Sequence, residues 1–265
     1  MPTRSEIYCS GTYSTRTPRS AGSVVSGEDG MDKLLFSEGD LVYLRLAARS
    51  AVKTGEQFLV VRPVEDPTGI SWFGGQERLE KRMGRLWEDI GRVRVVRLAG
   101  NEVKAQVEGS CAPMERGDEL LAFAPRTIPP LPGAQSKDAS TTLSRQPLSS
   151  RAMRRVVSAK GFRQVLGGAG YIAYVDLGSR QGAKPGDRLL LFRRLGAEGV
   201  EINRTSEMAT HMEGFGQSRT RNVSGQSPRE VLGEGVILRV SPTAATVFII
   251  SIRREIGLGD YAGLE

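Results

Sequence analysis

The chain has 265 residues, of which 39% are hydrophobic and 6% aromatic, and it contains 32 glycines. These proportions are typical of a globular protein with many turns and small cores, and they argue against a fold dominated by helices. The formal net charge is +7, and the excess lies in residues 151–265, which carry 17 basic and 11 acidic side chains. A basic second half favours an anionic partner, but a solvated basic surface that binds no partner gives the same composition.

Residues 1–33 are polar and rich in Ser, Thr and Gly, which predicts an irregular N-terminal arm. They lack the apolar core of a secretory signal, so either the protein is cytoplasmic or its native start lies upstream of Met1. No run of 18 apolar residues occurs anywhere in the chain. We therefore expect no transmembrane segment.

The two cysteines, Cys9 and Cys111, are too few for a disulfide framework. With His211 as the one histidine, they are also too few for a structural zinc site. They can form one disulfide, which would tie the arm to the first module and imply an oxidising compartment, or they can remain two free thiols. The sequence leaves both alternatives open because it does not give the Cα separation that a disulfide requires.

Two distant stretches of the chain align without a gap. They are "GDLVYLRLAARSAVKTGEQFLVVRP" at 39–63 and "GYIAYVDLGSRQGAKPGDRLLLFRR" at 170–194. Their apolar residues alternate in the same phase, so Val42 corresponds to Ala173 and both strands are predicted to turn the same face inward. A second pair of strand-turn-strand patterns begins at Gly91 and Gly233. The sequence thus predicts a duplicated β-module.

Short, turn-rich strands of this kind normally close into a small barrel, because a two-stranded ribbon is not stable alone. We predict an all-β fold of two tandem small β-barrels, SH3-like or similar, each with an insertion. Module 1 spans residues 34–124 and module 2 spans residues 151–265. A Pro/Ser-rich linker at 125–150 joins them.

The two insertions are predicted to differ. In module 1, Leu79, Met83, Leu86 and Trp87 recur at helical spacing, which predicts an amphipathic helix near 76–89 that packs over the barrel. In module 2, the polar stretch near 195–229 predicts a loop.

Glycine and aspartate recur together at the predicted turns. Glycine supplies a positive φ, and aspartate bonds the backbone of its own turn. We therefore assign structural roles to these residues: Gly55, Gly117, Asp118, Gly186, Asp187, Gly259 and Asp260.

The sequence contains no motif of a hydrolase or a metalloenzyme. We expect no catalytic, cofactor-binding or metal-binding residues. One basic cluster at the start of module 2 offers contacts for a polyanion, although a solvated surface explains it equally. Its members are Arg151, Arg154, Arg155, Lys160 and Arg163.

The segments "YVDLGSRQGAKPGDRLLLFRR" and "PREVLGEGVILRVSPTAATVFIISIRREIGLGD" resemble a family of bacterial cell-envelope modules. That family includes the C-terminal domain of the flagellar assembly protein T and uncharacterised β-rich domains found beside LysM repeats. The resemblance implies small barrel domains of a structural or assembly kind, usually periplasmic, with no catalytic residues. The matching positions are Leu177, Gly178, Gly182, Gly186, Asp187, Gly233, Gly235, Val236, Gly259 and Asp260.

Two functional hypotheses follow. The first is a non-enzymatic structural, assembly or wall-associated scaffold protein of the bacterial cell envelope, with a protein or cell-wall partner. The alternative is a cytoplasmic protein that uses a basic small barrel to bind nucleic acid or another polyanion. The oligomeric state is left open.

Overall fold

The computed structural model describes residues 2–28, 33–47, 52–100, 102–126, 153–163, 165–194 and 229–264. They form two compact units, each made of two chain segments. Unit 1 contains Met1–Glu65 and Gly84–Pro129, and unit 2 contains Asp66–Met83 and Pro130–Glu265. Among the described residues, no helix is both long enough and apolar enough to cross a membrane.

Unit 1 begins with helix α1 (Arg4–Tyr8) and strand β1 (Thr12–Ser14). Six further strands close into an antiparallel barrel in the order β2-β3-β6-β5-β4-β7, in which β7 pairs back with β2. Strand β1 pairs only with the beginning of β5 and lies outside this closed ring. The barrel strands are β2 (Gly22–Gly27), β3 (Leu41–Leu46), β4 (Gln57–Val64), β5 (Arg85–Ala99), β6 (Glu102–Ser110) and β7 (Glu119–Ala122).

Unit 2 contains helix α2 (Gln76–Met83) and a second closed antiparallel barrel. Its strands are β8 (Arg154–Ala159), β10 (Ile172–Val175), β11 (Arg188–Arg194), β12 (Arg229–Val240), β13 (Ala245–Ile252) and β15 (Tyr261–Leu264). Around the barrel the order is β8-β10-β13-β12-β11-β15. A separate two-stranded sheet joins β9 (Val165–Leu166) and β14 (Ile256–Gly257).

The two barrels are built in the same way. Taken in order around the ring, β2, β3, β6, β5, β4 and β7 correspond to β8, β10, β13, β12, β11 and β15. Individual backbone bonds also recur. The Gly39 amide donates to the carbonyl of Val107 at 2.9 Å, and the Gly170 amide donates to that of Ile249 at 2.8 Å. The prediction of two tandem small barrels is confirmed.

Each barrel encloses one apolar core. The alternation read from the sequence directs side chains inward, so Val42 and Leu44 of β3 are buried, as are Ala173 and Val175 of β10. Two facing strands also approach closely at one glycine, Gly233 of β12. A Cβ on Gly233 would lie 2.3 Å from the carbonyl oxygen of the facing strand, which leaves no room for a side chain.

The N-terminal prediction needs correction. Residues 1–33 were expected to be irregular, but α1, β1 and β2 all lie within them, and β2 is a full member of the barrel. Its pairing partners are β3 and β7, which come later in the chain. The strand is therefore stabilised by distant neighbours, and of its six residues only Val24 is a buried apolar core residue.

The predicted helix near 76–89 is too long, and it packs in unit 2 rather than over the first barrel. Helix α2 ends at Met83, and β5 begins at Arg85. The break is at Gly84, whose φ of +98° is unfavourable for other residues and where a Cβ would lie 2.2 Å from the carbonyl oxygen of Ser14. Leu86 and Trp87 are therefore strand residues. Most of the predicted linker 125–150 and of the loop near 195–229 falls outside the described residues.

Candidate functional site

Cys9 and Cys111 form a disulfide with a Cα separation of 5.4 Å. Cys9 ends helix α1, and Cys111 follows strand β6. The helix itself starts with a capping box, in which Thr3 accepts a hydrogen bond from the Glu6 amide and Glu6 accepts one from the Thr3 amide. This short helix places Cys9 beside the barrel, and the disulfide ties the N-terminus of the chain to it.

A buried ion pair holds the same segment. Arg126 donates two hydrogen bonds to the carboxylate of Asp89, at 2.7 and 2.9 Å, and Asp89 is only 5% exposed. The Gly11 amide donates to the same carboxylate at 2.9 Å. Arg126 also donates to the carbonyls of Ile7 and Tyr8. One carboxylate and one guanidinium thus satisfy several backbone groups of the segment.

Apolar contacts complete the attachment. The ring of Tyr8 stacks on Phe123 with centroids 5.9 Å apart, an arrangement that adds to the burial of both rings. Ile7 and Tyr13 are almost fully buried. We call residues Thr3–Ser14 the N-terminal clasp, and we call Cys111, Asp89, Phe123, Arg126 and the first three residues of β5 its seat.

An open cavity of about 280 Å³ adjoins the clasp. Both half-cystines line it, together with Arg4, Glu38 and Arg92. Arg92 is paired with Glu108 at 3.0 Å. The disulfide therefore lies at the wall of an open cavity.

The four aspartates of the Gly-Asp pairs bond the backbone of their own turns. Each carboxylate accepts from the amide three residues earlier, and the distances lie between 2.7 and 2.8 Å. They are Asp40, Asp118, Asp187 and Asp260. The glycines before them, Gly39, Gly117, Gly186 and Gly259, have φ between 92° and 95°, which a glycine adopts without strain. Gly55 makes the equivalent turn with φ of +90°.

Two of these aspartates also bind an arginine, at the same place in each barrel. Arg62 donates to both oxygens of Asp118 at 2.7 and 2.8 Å, and this bonding raises the pKa of Arg62. Arg193 donates to both oxygens of Asp260 at 2.7 and 2.6 Å. These carboxylates are used to brace a turn against a neighbouring strand.

The basic cluster of module 2 is only partly brought together. Arg151 lies outside the described residues, whereas Arg154 and Arg155 lie on β8. The Arg155 guanidinium is 4.0 Å from the centroid of the Tyr261 ring and donates to the carbonyl of Gly259.

The other two members of the cluster follow β8. Lys160 lies in a short 3-10 helix, Lys160–Phe162. Arg163 is exposed and lies over the ring of Tyr171, 5.3 Å from its centroid. Of the described members, Arg155 is thus committed to internal contacts, and Arg163 faces solvent.

Helix α2 is seated on the barrel of unit 2 by polar contacts to buried groups. Gln76, 2% exposed, donates to the carbonyl of Val157 at 3.0 Å. Arg82 binds Asp176 at 2.7 Å. Burial raises the pKa of Asp176, and the Arg155 amide and Arg82 oppose that rise.

The residues of the clasp and its seat were largely missed by sequence reasoning. The capping box at Thr3 and Glu6 was a visible signal for α1. Asp89 and Arg126 carried no local signal, because their roles depend on contacts between distant parts of the chain. In the described ranges, no group of three metal-ligating side chains is present. His211 lies outside them.

Comparison with known proteins found no matching family model and no matching curated protein. Function is therefore inferred from the geometry of the chain itself. What that geometry offers is attachment and bracing: a covalent clasp on unit 1, and paired arginines and aspartates on both barrels.

Proposed function

We propose that the protein is a non-enzymatic structural or assembly protein of the bacterial cell envelope, with a protein or cell-wall partner. The observation that carries this proposal is the disulfide between Cys9 and Cys111. Disulfides form and persist in oxidising compartments and are rare where cellular thiols keep cysteines reduced. A bridge between residues 102 positions apart, built into the attachment of the N-terminus, supports an extracytoplasmic address.

Two further features support a structural role. The aspartates of the Gly-Asp turns accept bonds from their own backbone, so these carboxylates serve the fold. The strand and turn pattern from Tyr174 onward resembles envelope modules of a structural or assembly kind. In this proposal the two barrels hold binding surfaces in place, and the protein acts by binding its protein or cell-wall partner through those surfaces.

The test is the location and thiol state of the protein in its native cell. Cells are quenched with a membrane-permeant alkylating reagent, fractionated, and the protein is assayed for alkylated cysteines by mass spectrometry. We expect the protein in the envelope fraction with Cys9 and Cys111 both protected. A cytosolic protein with both cysteines alkylated would overturn the proposal. A Cys9→Ser, Cys111→Ser variant is the control that separates location from thiol state.

A second candidate is binding to nucleic acid or another polyanion through unit 2. It is favoured by Arg163, an exposed cation held over the ring of Tyr171. Cations interleaved with aromatic rings can contact both phosphates and bases. Lys160 precedes this pair in the 3-10 helix.

Salt dependence tests this candidate. Each phosphate contact contributes a slope of about −0.9 for duplex DNA in a plot of log affinity against log salt. Lys160→Ala with Arg163→Ala should therefore reduce the slope by nearly two units, whereas Arg253→Ala with Arg254→Ala removes the same charge elsewhere on unit 2. Equal effects of the two pairs, or no retention on heparin at low salt, would reject a specific site.

A further inference from the structure

The N-terminal clasp is an addition to a barrel that is already complete. The ring of six strands in unit 1 closes through β7 and β2 without any contribution from β1. The barrel of unit 2 closes in the same way, and among its described strands none takes the place of β1. Closure of the barrel therefore does not require the clasp.

What the clasp covers is an edge. Strand β5 extends beyond the barrel at its beginning, where Arg85–Trp87 pair with β1 on one side and Leu86 and Trp87 pair with β4 on the other. Strand β6 pairs with β5 only from Gly91 onward. If β1 left, the amides and carbonyls at the start of β5 would lose their partners and could pair with another extended segment. The positions filled by Ile7 and Tyr13 would open at the same time.

The clasp is joined to the barrel by a short connector and one covalent lock. Residues 15–20 link the end of β1 to Ala21, whose amide is bonded to the carbonyl of Leu120. Six extended residues reach about 20 Å, enough to carry the clasp away from its own seat. The lock is the disulfide, whose two half-cystines line the open cavity. A thiol can therefore reach the bond that has to open.

We propose that the clasp is exchangeable between copies of this chain. The clasp of one copy docks on the seat of a second copy, and Cys9 of the first forms a disulfide with Cys111 of the second. A second copy is the occupant because its Thr3–Ser14 segment repeats each clasp contact described above, including the bond from the Gly11 amide to Asp89. Only the connector changes its course, which is the condition under which identical elements swap. This inference deepens the proposed assembly role and rests on it.

The chemistry needs a thiol as a catalyst and no net oxidant. A thiolate attacks one sulfur of the Cys9–Cys111 disulfide, forms a mixed disulfide with that cysteine and releases the other cysteine as a thiolate. The released thiolate of one copy attacks the mixed disulfide of the second copy. The new Cys9–Cys111 bond then joins two chains, and the small thiolate is returned. The number of disulfides and electrons is unchanged.

Two single-cysteine variants test the exchange. Cys111→Ser keeps only Cys9, and Cys9→Ser keeps only Cys111, so neither can close its own clasp. They are mixed in a buffer of reduced and oxidised glutathione, and disulfide-linked products are measured on non-reducing gels with chains of different mass. We expect the mixed Cys9–Cys111 dimer at least about tenfold above the ratio that random pairing of thiols gives, because docking raises the effective concentration of Cys9 at the seat.

Matched controls decide whether docking causes the pairing. Asp89→Asn in the Cys9→Ser copy weakens the seat without altering a thiol, and we expect about tenfold less mixed dimer. Asp187→Asn in the same copy changes a turn of unit 2 and should leave the yield unchanged. Mixed dimer at the random ratio, or equal yields from the two aspartate variants, would overturn the proposal. The proposed function is decided separately, by cellular location and thiol state.

Discussion

The clasp disulfide should contribute a large share of the stability of unit 1. It joins residues 102 positions apart, and a crosslink stabilises mainly by reducing the entropy of the unfolded chain. For a loop of roughly 100 residues the entropy estimate is about 4.7 kcal/mol, and removal of native disulfides typically costs about 2–5 kcal/mol. We therefore expect Cys9→Ser with Cys111→Ser to lower the free energy of unfolding of unit 1 by about 4 kcal/mol.

The two tryptophans allow the units to be followed separately. Trp87 is buried in unit 1 and Trp72 lies in unit 2, so Trp72→Phe leaves a fluorescence reporter of unit 1 alone. Urea unfolding in this background gives the free energy of unfolding with and without the cysteines. Trp87→Phe gives the matching curve for unit 2, whose midpoint should not move. A loss below about 1 kcal/mol for unit 1 would refute the loop-closure argument.

Three further predictions concern stability and are read from urea unfolding of the unit that carries each substitution. Arg193→Lys removes the bidentate hydrogen bonding between the guanidinium and the buried carboxylate of Asp260. We expect the free energy of unfolding to fall by about 1–2 kcal/mol. Gly233→Ala forces a Cβ against a facing carbonyl and should cost at least about 2 kcal/mol, whereas Gly109→Ala in unit 1, where the space is open, is the neutral comparison. Because burial raises the folded-state pKa of Asp176 above its ordinary 3.8, stability should fall as pH rises from 3.8 through the raised value, and Asp176→Asn should abolish that slope.

The strands that the sequence revealed are those that carry both of its signals. Strands β3 and β10 carry apolar residues at corresponding alternate positions, Val42 and Leu44 in one and Ala173 and Val175 in the other, and each is followed by a turn with a glycine of positive φ. Strand β2 carried neither signal clearly, because its sequence is rich in Ser and Gly and its partners come later in the chain. The helix near 76–89 was overextended because Leu86 and Trp87 continue the helical spacing past Gly84. The spacing of the apolar residues does not show the positive φ of Gly84, at which the helix ends.

The clasp was beyond sequence reasoning for a different reason. Asp89 and Arg126 are 37 positions apart, and both bond the backbone of residues near the N-terminus. No local pattern encodes such a contact. For the same reason the sequence leaves the disulfide undecided, since the Cα separation of 5.4 Å is a product of the whole fold.

Because the two barrels share one strand order, a difference between them at equivalent positions indicates which residues the common fold does not require. The amide of Cys111 donates to the carbonyl of Ile90 at 2.8 Å, and the amide of Arg253 donates to that of Leu232 at 2.7 Å. The same backbone hydrogen bond is therefore present in both barrels, while one barrel carries a half-cystine at this position and the other carries a guanidinium. Since the barrel of unit 2 closes with an arginine there, the fold does not require a cysteine at this site. The cysteine in unit 1 serves the clasp, and the clasp is where we expect a property specific to this half of the chain.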